Sequence, residues 1–130
     1  MSLYGIGTDI VDIARIEGSF ERYGERFRDR VFTANEIAYC ERLQGKAKLR
    51  SYAARFAGKE AISKALRTGI GPAFDWVDLE ILRNEPSGAP NVLCHGRAIA
   101  FLEQEGISLI HISLSHGESQ AIAYAIAELN

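Results

Sequence analysis

No apolar run in this sequence approaches the roughly 18 residues that a membrane-spanning helix requires. The first residues, Met1-Ser2-Leu3-Tyr4-Gly5, lack the basic start and apolar stretch of a secretory signal. Together these absences predict an unexported, cytoplasmic chain with no membrane association. Cysteine is scarce: Cys40 and Cys94 have neither the close spacing of a metal site nor the density of a disulfide scaffold. There is no basic excess either, and a net charge of −2 excludes a general nucleic-acid binder. Internal repeats and linkers rich in Pro, Ser or Gly are missing, so residues 1–130 are expected to form one compact domain. Also missing are a Walker-type phosphate loop, a Rossmann glycine fingerprint after a strand, zinc-ligand spacing and a nucleophile elbow.

What the sequence does have is organised around residues 52–66. At about 100° per residue, Ala54, Ala57, Gly58, Ala61 and Ala65 fall on one side of a helix, and Phe56, Glu60 and Lys64 form a row on another. A mid-helix Gly58 costs roughly 1 kcal/mol against Ala, so its presence points to a close approach. Glu60 and Lys64 are spaced as an i, i+4 ion pair. Arg55, Lys59 and Lys64 make this helix a rod that presents positive charge. It is expected to end near Thr68-Gly69, with Gly69 as the left-handed cap, and residues 44–48 are expected to turn the chain into it.

Residues 3–11 read as a strand that Gly5 and Gly7 thin for close approach, with Asp9 near its end. Asp12 suits the N-cap of a helix over 13–23. Arg15 and Arg22, with Arg26 if that helix continues, share one face, which reads either as an ordinary solvated surface or as a docking face for an acidic partner helix. Thr33 and Glu36 have capping-box spacing, and Phe32 and Ile37 the spacing of a hydrophobic staple. Glu36 is therefore expected to be a cap rather than a catalyst, on a helix running to about Leu43. A strand is expected over 76–83, another over 91–95 and a helix over 97–105. Alternation over 110–115 and 121–127 describes a hairpin whose return strand carries alanines on one face and Ile122, Tyr124 and Ile126 on the other. That alanine face is expected to pack on the small-residue side of the central helix.

Two carboxylates, Asp9 and Glu60, without a His or Cys cluster suit a hard, oxygen-preferring cation such as Mg²⁺, which takes its remaining ligands from water and substrate phosphates. Lys64 would then stabilise charge on a transferring phosphate. His116, at the hairpin tip, either touches a phosphate, moves a proton or is an exposed turn residue without a role. Phosphate chemistry follows from these residues, but not whether it is transfer, hydrolysis or nucleotide binding without turnover.

Five blocks resemble the holo-acyl-carrier-protein synthases of the 4′-phosphopantetheinyl transferase family. They are Gly5-Ile6-Gly7-Thr8-Asp9 with its continuation to Ile16, Phe32-Thr33-Ala34-Asn35-Glu36, the stretch 55–66 with Thr68-Gly69, Gly88-Ala89-Pro90-Asn91-Val92 and Ser113-Leu114-Ser115-His116. The resemblance runs in family order over nearly the whole chain. It implies an α+β fold, with a long central helix packed on a small, mainly antiparallel sheet. The implied activity is transfer of 4′-phosphopantetheine from coenzyme A to a serine of apo acyl carrier protein, in support of fatty acid biosynthesis. Asp9 and Glu60 are implied as Mg²⁺ ligands, Glu60 and Lys64 as catalytic, and Arg55, Lys64, Ser115 and His116 as contacts to coenzyme A. The general base stays open between Glu60 and a metal-bound water. A homotrimer with the active site between subunits is implied as well, with residues 113–117 facing a neighbour's site and Arg15, Arg22 and Arg26 facing the acidic carrier protein. Two positions depart from the family pattern: Arg67 stands where glycine is frequent, and Gly117 where a hydroxyl residue is frequent.

Overall fold

The structure, a computed structural model, describes residues 2–130. Its elements run β1 (Leu3–Asp12), α1 (Ile13–Tyr23), α2 (Glu25–Val31), α3 (Ala34–Glu41), α4 (Gly45–Ala65), a single 3₁₀ turn (Trp76–Asp78), β2 (Leu79–Arg83), β3 (Pro90–Cys94), α5 (Gly96–Glu105), β4 (Ile107–His116) and β5 (Gln120–Leu129). The α+β class is as expected, but the strands form two antiparallel sheets rather than one: β1-β5-β4, and the pair β2-β3.

Helix α4 lies across the three-stranded sheet. Its small-residue side meets the alanine face of β5, where Ala121, Ala123, Ala125 and Ala127 are all buried. The expectation of a close helix-to-sheet contact therefore holds, and β1 explains how close it is. A Cβ placed on Gly5 would sit 2.1 Å from the Ala65 carbonyl oxygen, and one on Gly7 would sit 2.0 Å from that of Ala61. Only glycine at these two positions lets the strand backbone rest on the helix backbone. On the same helix a Cβ at Gly58 would reach within 2.5 Å of Ile81 Cδ1.

Several boundaries differ from expectation, each for a local reason. Helix α4 starts at Gly45, so residues 45–48 belong to its first turn instead of to a connecting loop. Helix α1 spans 13–23 as expected but does not continue, because Gly24 adopts φ of 56°, and Arg26 therefore sits on the separate helix α2 rather than on a continued face with Arg15 and Arg22. Asp12 occupies the α1 N-cap position, but its Oδ1 accepts from Gln120 Nε2 at 3.0 Å in place of a capping bond. Residues 76–78 form a 3₁₀ turn because Asp75 and Asp78 cap each other reciprocally, which delays the strand to Leu79. On that strand Glu80 is buried, accepting from Thr33 Oγ1 and pairing with His95 Nε2 at 3.0 Å.

The C-terminus of α4 is a Schellman turn: the Thr68 amide donates to the Ser63 carbonyl at 3.0 Å and the Arg67 amide to that of Lys64 at 3.0 Å. The left-handed residue directly after the helix is thus Arg67, at φ 64°, with Gly69 also left-handed two residues on. Arg67 replaces the frequent glycine in a conformation that disfavours a side chain. Its guanidinium lies 4.8 Å from the Tyr4 ring centre and donates to the Tyr4 carbonyl, contacts that no glycine makes.

Candidate active site

The two glycines of β1 deliver Asp9 to the flank of α4. Asp9 shares the inward face of the strand with Gly5 and Gly7, so close seating of the strand places its carboxylate against the last turns of the helix. There Lys64 Nζ donates to Asp9 Oδ1 at 3.1 Å and to the Thr8 carbonyl at 2.9 Å. The expected pairing of Lys64 with Glu60 is replaced by this helix-to-strand bond, because a strand carboxylate is brought nearer than the helix neighbour's. Lys64 remains half exposed, at 51%, and is free to reach a ligand.

Glu60 stands one turn before Lys64, half-buried, and is bonded to neither. Burial first, and then the charge of Asp9, push its carboxyl above the ordinary carboxylate range, while Lys64 and Arg15 act in the opposite direction. Arg15 reaches this corner from α1, its guanidinium 5.4 Å from the centre of the Phe56 ring. Phe56 in turn stacks on Trp76, 4.8 Å between centres and 28° between planes. A groove of about 680 Å³ opens beside Glu60, walled by Asp29, Arg30, Ile70 and Trp76 among others.

Among the described residues no group of three or more His, Cys, Asp or Glu side chains is gathered as a metal cage. Two carboxylates, one of them raised by burial and then by the other's charge, make an oxygen-only donor set with room for outside ligands. Such a set fits Mg²⁺, which keeps several waters and shares substrate oxygens. A divalent cation between Asp9 and Glu60 would also remove the repulsion that lifts Glu60.

The other expected contacts lie elsewhere. Arg55 precedes Glu60 by five residues, which is about 7.5 Å along the helix axis and roughly 140° around it. It is buried rather than presented, donating to the Ile81 carbonyl at 3.2 Å and to Ser51 Oγ at 2.7 Å, with the Tyr39 ring centre 4.6 Å away. It lines a second groove, of about 370 Å³, with Arg50, Arg83, Pro90 and His116. Ser115, adjacent to His116, faces the opposite side of the sheet with His111 and Ser113. Arg22 lies over Tyr23, at 5.7 Å, and Arg26 edges a shallow surface formed with Ser19, Tyr23, Phe27 and Arg30. A single chain thus brings together Asp9, Glu60, Lys64 and Arg15, and separately Arg55 and His116.

Lys59 corrects the picture of a helix presenting three cations. Its ammonium is fully buried, donating to Glu36 Oε1 at 2.7 Å, to the Val31 carbonyl at 2.6 Å and to the Trp76 carbonyl at 3.1 Å. Burial pulls it below the usual lysine range, and Glu36 opposes that shift. Glu36 completes the expected capping box with Thr33 and also accepts from the Ile81 amide at 2.8 Å. The sequence did hold a signal for this: Tyr52, Lys59 and Leu66 follow at intervals of seven and share one buried line along α4.

With this geometry in place, comparison with known proteins is informative. Residues 5–125 match the model of the 4′-phosphopantetheinyl transferase superfamily. The chain is 45% identical over 124 residues to a holo-[acyl-carrier-protein] synthase of Ruminiclostridium cellulolyticum, covering 95% of this chain and 91% of that one. Its fold matches the crystal structure of the corresponding synthase of Neisseria meningitidis with a TM-score of 0.90 at 33% identity, over 98% of this chain and 99% of that one. It also matches the Helicobacter pylori synthase in complex with coenzyme A, with a TM-score of 0.83 at 35% identity, over 95% and 99% of the two chains.

Proposed function

The chain belongs to the 4′-phosphopantetheinyl transferase superfamily, among its holo-acyl-carrier-protein synthases, and we infer from that membership that it transfers 4′-phosphopantetheine from coenzyme A to apo acyl carrier protein. The acceptor serine oxygen forms a bond to the pantetheine-bearing phosphorus of coenzyme A. The phosphoanhydride bond to the nucleotide breaks, adenosine 3′,5′-bisphosphate leaves, and the serine proton passes to a base. The observation that carries this reading is the convergence of Asp9, Glu60 and Lys64 at the crossing of β1 and α4, where two carboxylates and a half-exposed ammonium meet beside a groove that Glu60 lines.

We assign Asp9 and Glu60 as the ligands of a Mg²⁺ ion, which when bound would offset the negative charge of the donor's pyrophosphate and polarise the bond to be broken. Lys64 exchanges its bond to Asp9 for the leaving phosphate once that carboxylate is engaged, and so stabilises the charge that develops there. Glu60 also lines the groove that opens beside this corner, from which it can take the serine proton. Arg55 and His116, on the second groove with Arg50 and Arg83, suit the phosphates of the nucleotide portion.

Because that groove and the carboxylate pair lie on different flanks, the reading includes a homotrimer in which one subunit's groove completes its neighbour's site, with Ser115 directed at the interface. Support comes from the outer face of the three-stranded sheet, where Ile6, Ile10, Tyr124 and Ile126 are 68%, 55%, 59% and 39% exposed side by side. An apolar sheet face of this kind is ordinarily covered. Residues 1–130 act as one catalytic domain in the cytoplasm, a reading that the two free cysteines and the use of coenzyme A support. Arg15, Arg22 and Arg26 supply positive charge for an acidic carrier protein, with Arg15 also beside Glu60.

Incubation with coenzyme A alone and with coenzyme A plus apo carrier protein tests the transferase reading. Adenosine 3′,5′-bisphosphate is expected only when the acceptor is present. Equal release without acceptor would make the chain a phosphohydrolase.

A further inference from the structure

Lys59 is adjacent in sequence to Glu60 but leaves the helix about 100° around from it, into the core. Its three bonds reach three different segments: the C-terminus of α2 through the Val31 carbonyl, the first turn of α3 through Glu36, and the 3₁₀ turn through the Trp76 carbonyl. Two of those segments wall the groove beside Glu60, which Asp29, Arg30 and Trp76 line together with Glu60 itself. Trp76 is held a second time, by its ring, against Phe56 one helical turn before Glu60.

We propose that Lys59 is a positioning residue for the transfer: its buried ammonium anchors the α2 end and the Trp76 turn to the helical turn that carries Glu60, and so fixes the groove wall against which the reacting carboxylate is aimed. The proposal rests on the transferase reading for its effect on turnover, but the anchoring can be read without it. A buried ion pair is weak evidence for stability, since a well-packed apolar pair of similar size often replaces one at no loss. What an apolar pair does not replace is the bond to the Trp76 carbonyl. Stability and positioning are therefore separable here. Among the described residues no other side chain holds that carbonyl to the helix.

The single variant Lys59→Met leaves Glu36 buried without its partner and invites unfolding. The informative variant is Glu36→Met combined with Lys59→Met, compared with Ile107→Ala, a cavity at a buried position on β4 away from the groove. Trp76 is the only tryptophan in the chain, so its quenching by acrylamide reports on the wall directly. The double variant is expected to fold, to show greater quenching of Trp76, and to lose at least about tenfold in kcat, as misplacement near a reacting group does. KM for coenzyme A should change by less than about twofold. Ile107→Ala should lose stability while keeping wild-type quenching and wild-type kcat per folded molecule. Wild-type quenching in the double variant, or activity that falls only with the folded fraction, would overturn the proposal. Failure of the transferase reading itself would show separately, as wild-type protein that forms no adduct on the carrier.

Discussion

Burial and the charge of Asp9 both act against ionising Glu60, so the carboxylate proposed here as metal ligand and base is one whose charge the fold by itself disfavours. Its folded-state pKa lies above its unfolded value. Above that raised pKa the group is ionised in both states and the folded state bears the penalty; below the unfolded pKa it is protonated in both and the penalty vanishes. Glu60→Gln should therefore raise the melting midpoint of the metal-free protein near pH 7, with the gain shrinking to nothing as pH falls through the ordinary carboxylate range. The same substitution should abolish metal-dependent transfer. A thermal melt series over pH checks the first expectation and a turnover assay the second. Asp9→Ala should likewise remain folded and lose activity, and Lys64→Ala should lower kcat more than stability. That these three residues gather at one corner of the fold was legible from residue type and spacing. The bond of Lys64 to Asp9 was not, because it joins positions 55 apart and depends on how deeply β1 seats on α4.

At the scale of elements, that seating is the critical contact. Gly7→Ala puts a methyl 2.0 Å from a helix carbonyl, so strand and helix must separate. We expect a loss of at least about 1–3 kcal/mol, as for other overpacked sites, together with a fall in kcat because Asp9 moves away from Glu60. Ala61→Leu, on the opposing helix face, should cost a similar roughly 1–3 kcal/mol. Chemical denaturation measures both. Strand β1, helices α1 and α5 and the β4-β5 hairpin could be read from the sequence because each repeats a period of two or 3.6 residues, which local pattern records. The stop at Gly24, the 3₁₀ turn at Trp76 and the left-handed Arg67 could not, because each is set by one residue's backbone conformation or by a cap formed between two aspartates. Lys59 was misread for a related reason: charge suggests solvent, and its partner lies 23 residues away.

For the whole molecule, the two expectations concern association. The apolar outer sheet face should be buried between subunits, so Tyr124→Glu combined with Ile126→Glu is expected to give monomers by analytical ultracentrifugation and to abolish transfer. A monodisperse trimer of that variant would remove the interface from this face. Docking of an acidic carrier should depend on the arginines of α1. Arg22→Glu, which leaves Arg15 in place beside Glu60, should raise KM for the carrier protein while leaving coenzyme A affinity unchanged, and the wild-type KM for the carrier should rise with salt as screening shortens the reach of surface charge. The central claim is the transfer itself, and the most direct measurement is the intact mass of apo acyl carrier protein after incubation with this protein, coenzyme A and Mg²⁺, with and without EDTA. The expected result is one phosphopantetheine added to the carrier serine, and none in EDTA. An unmodified carrier in the presence of folded enzyme and metal would contradict the account.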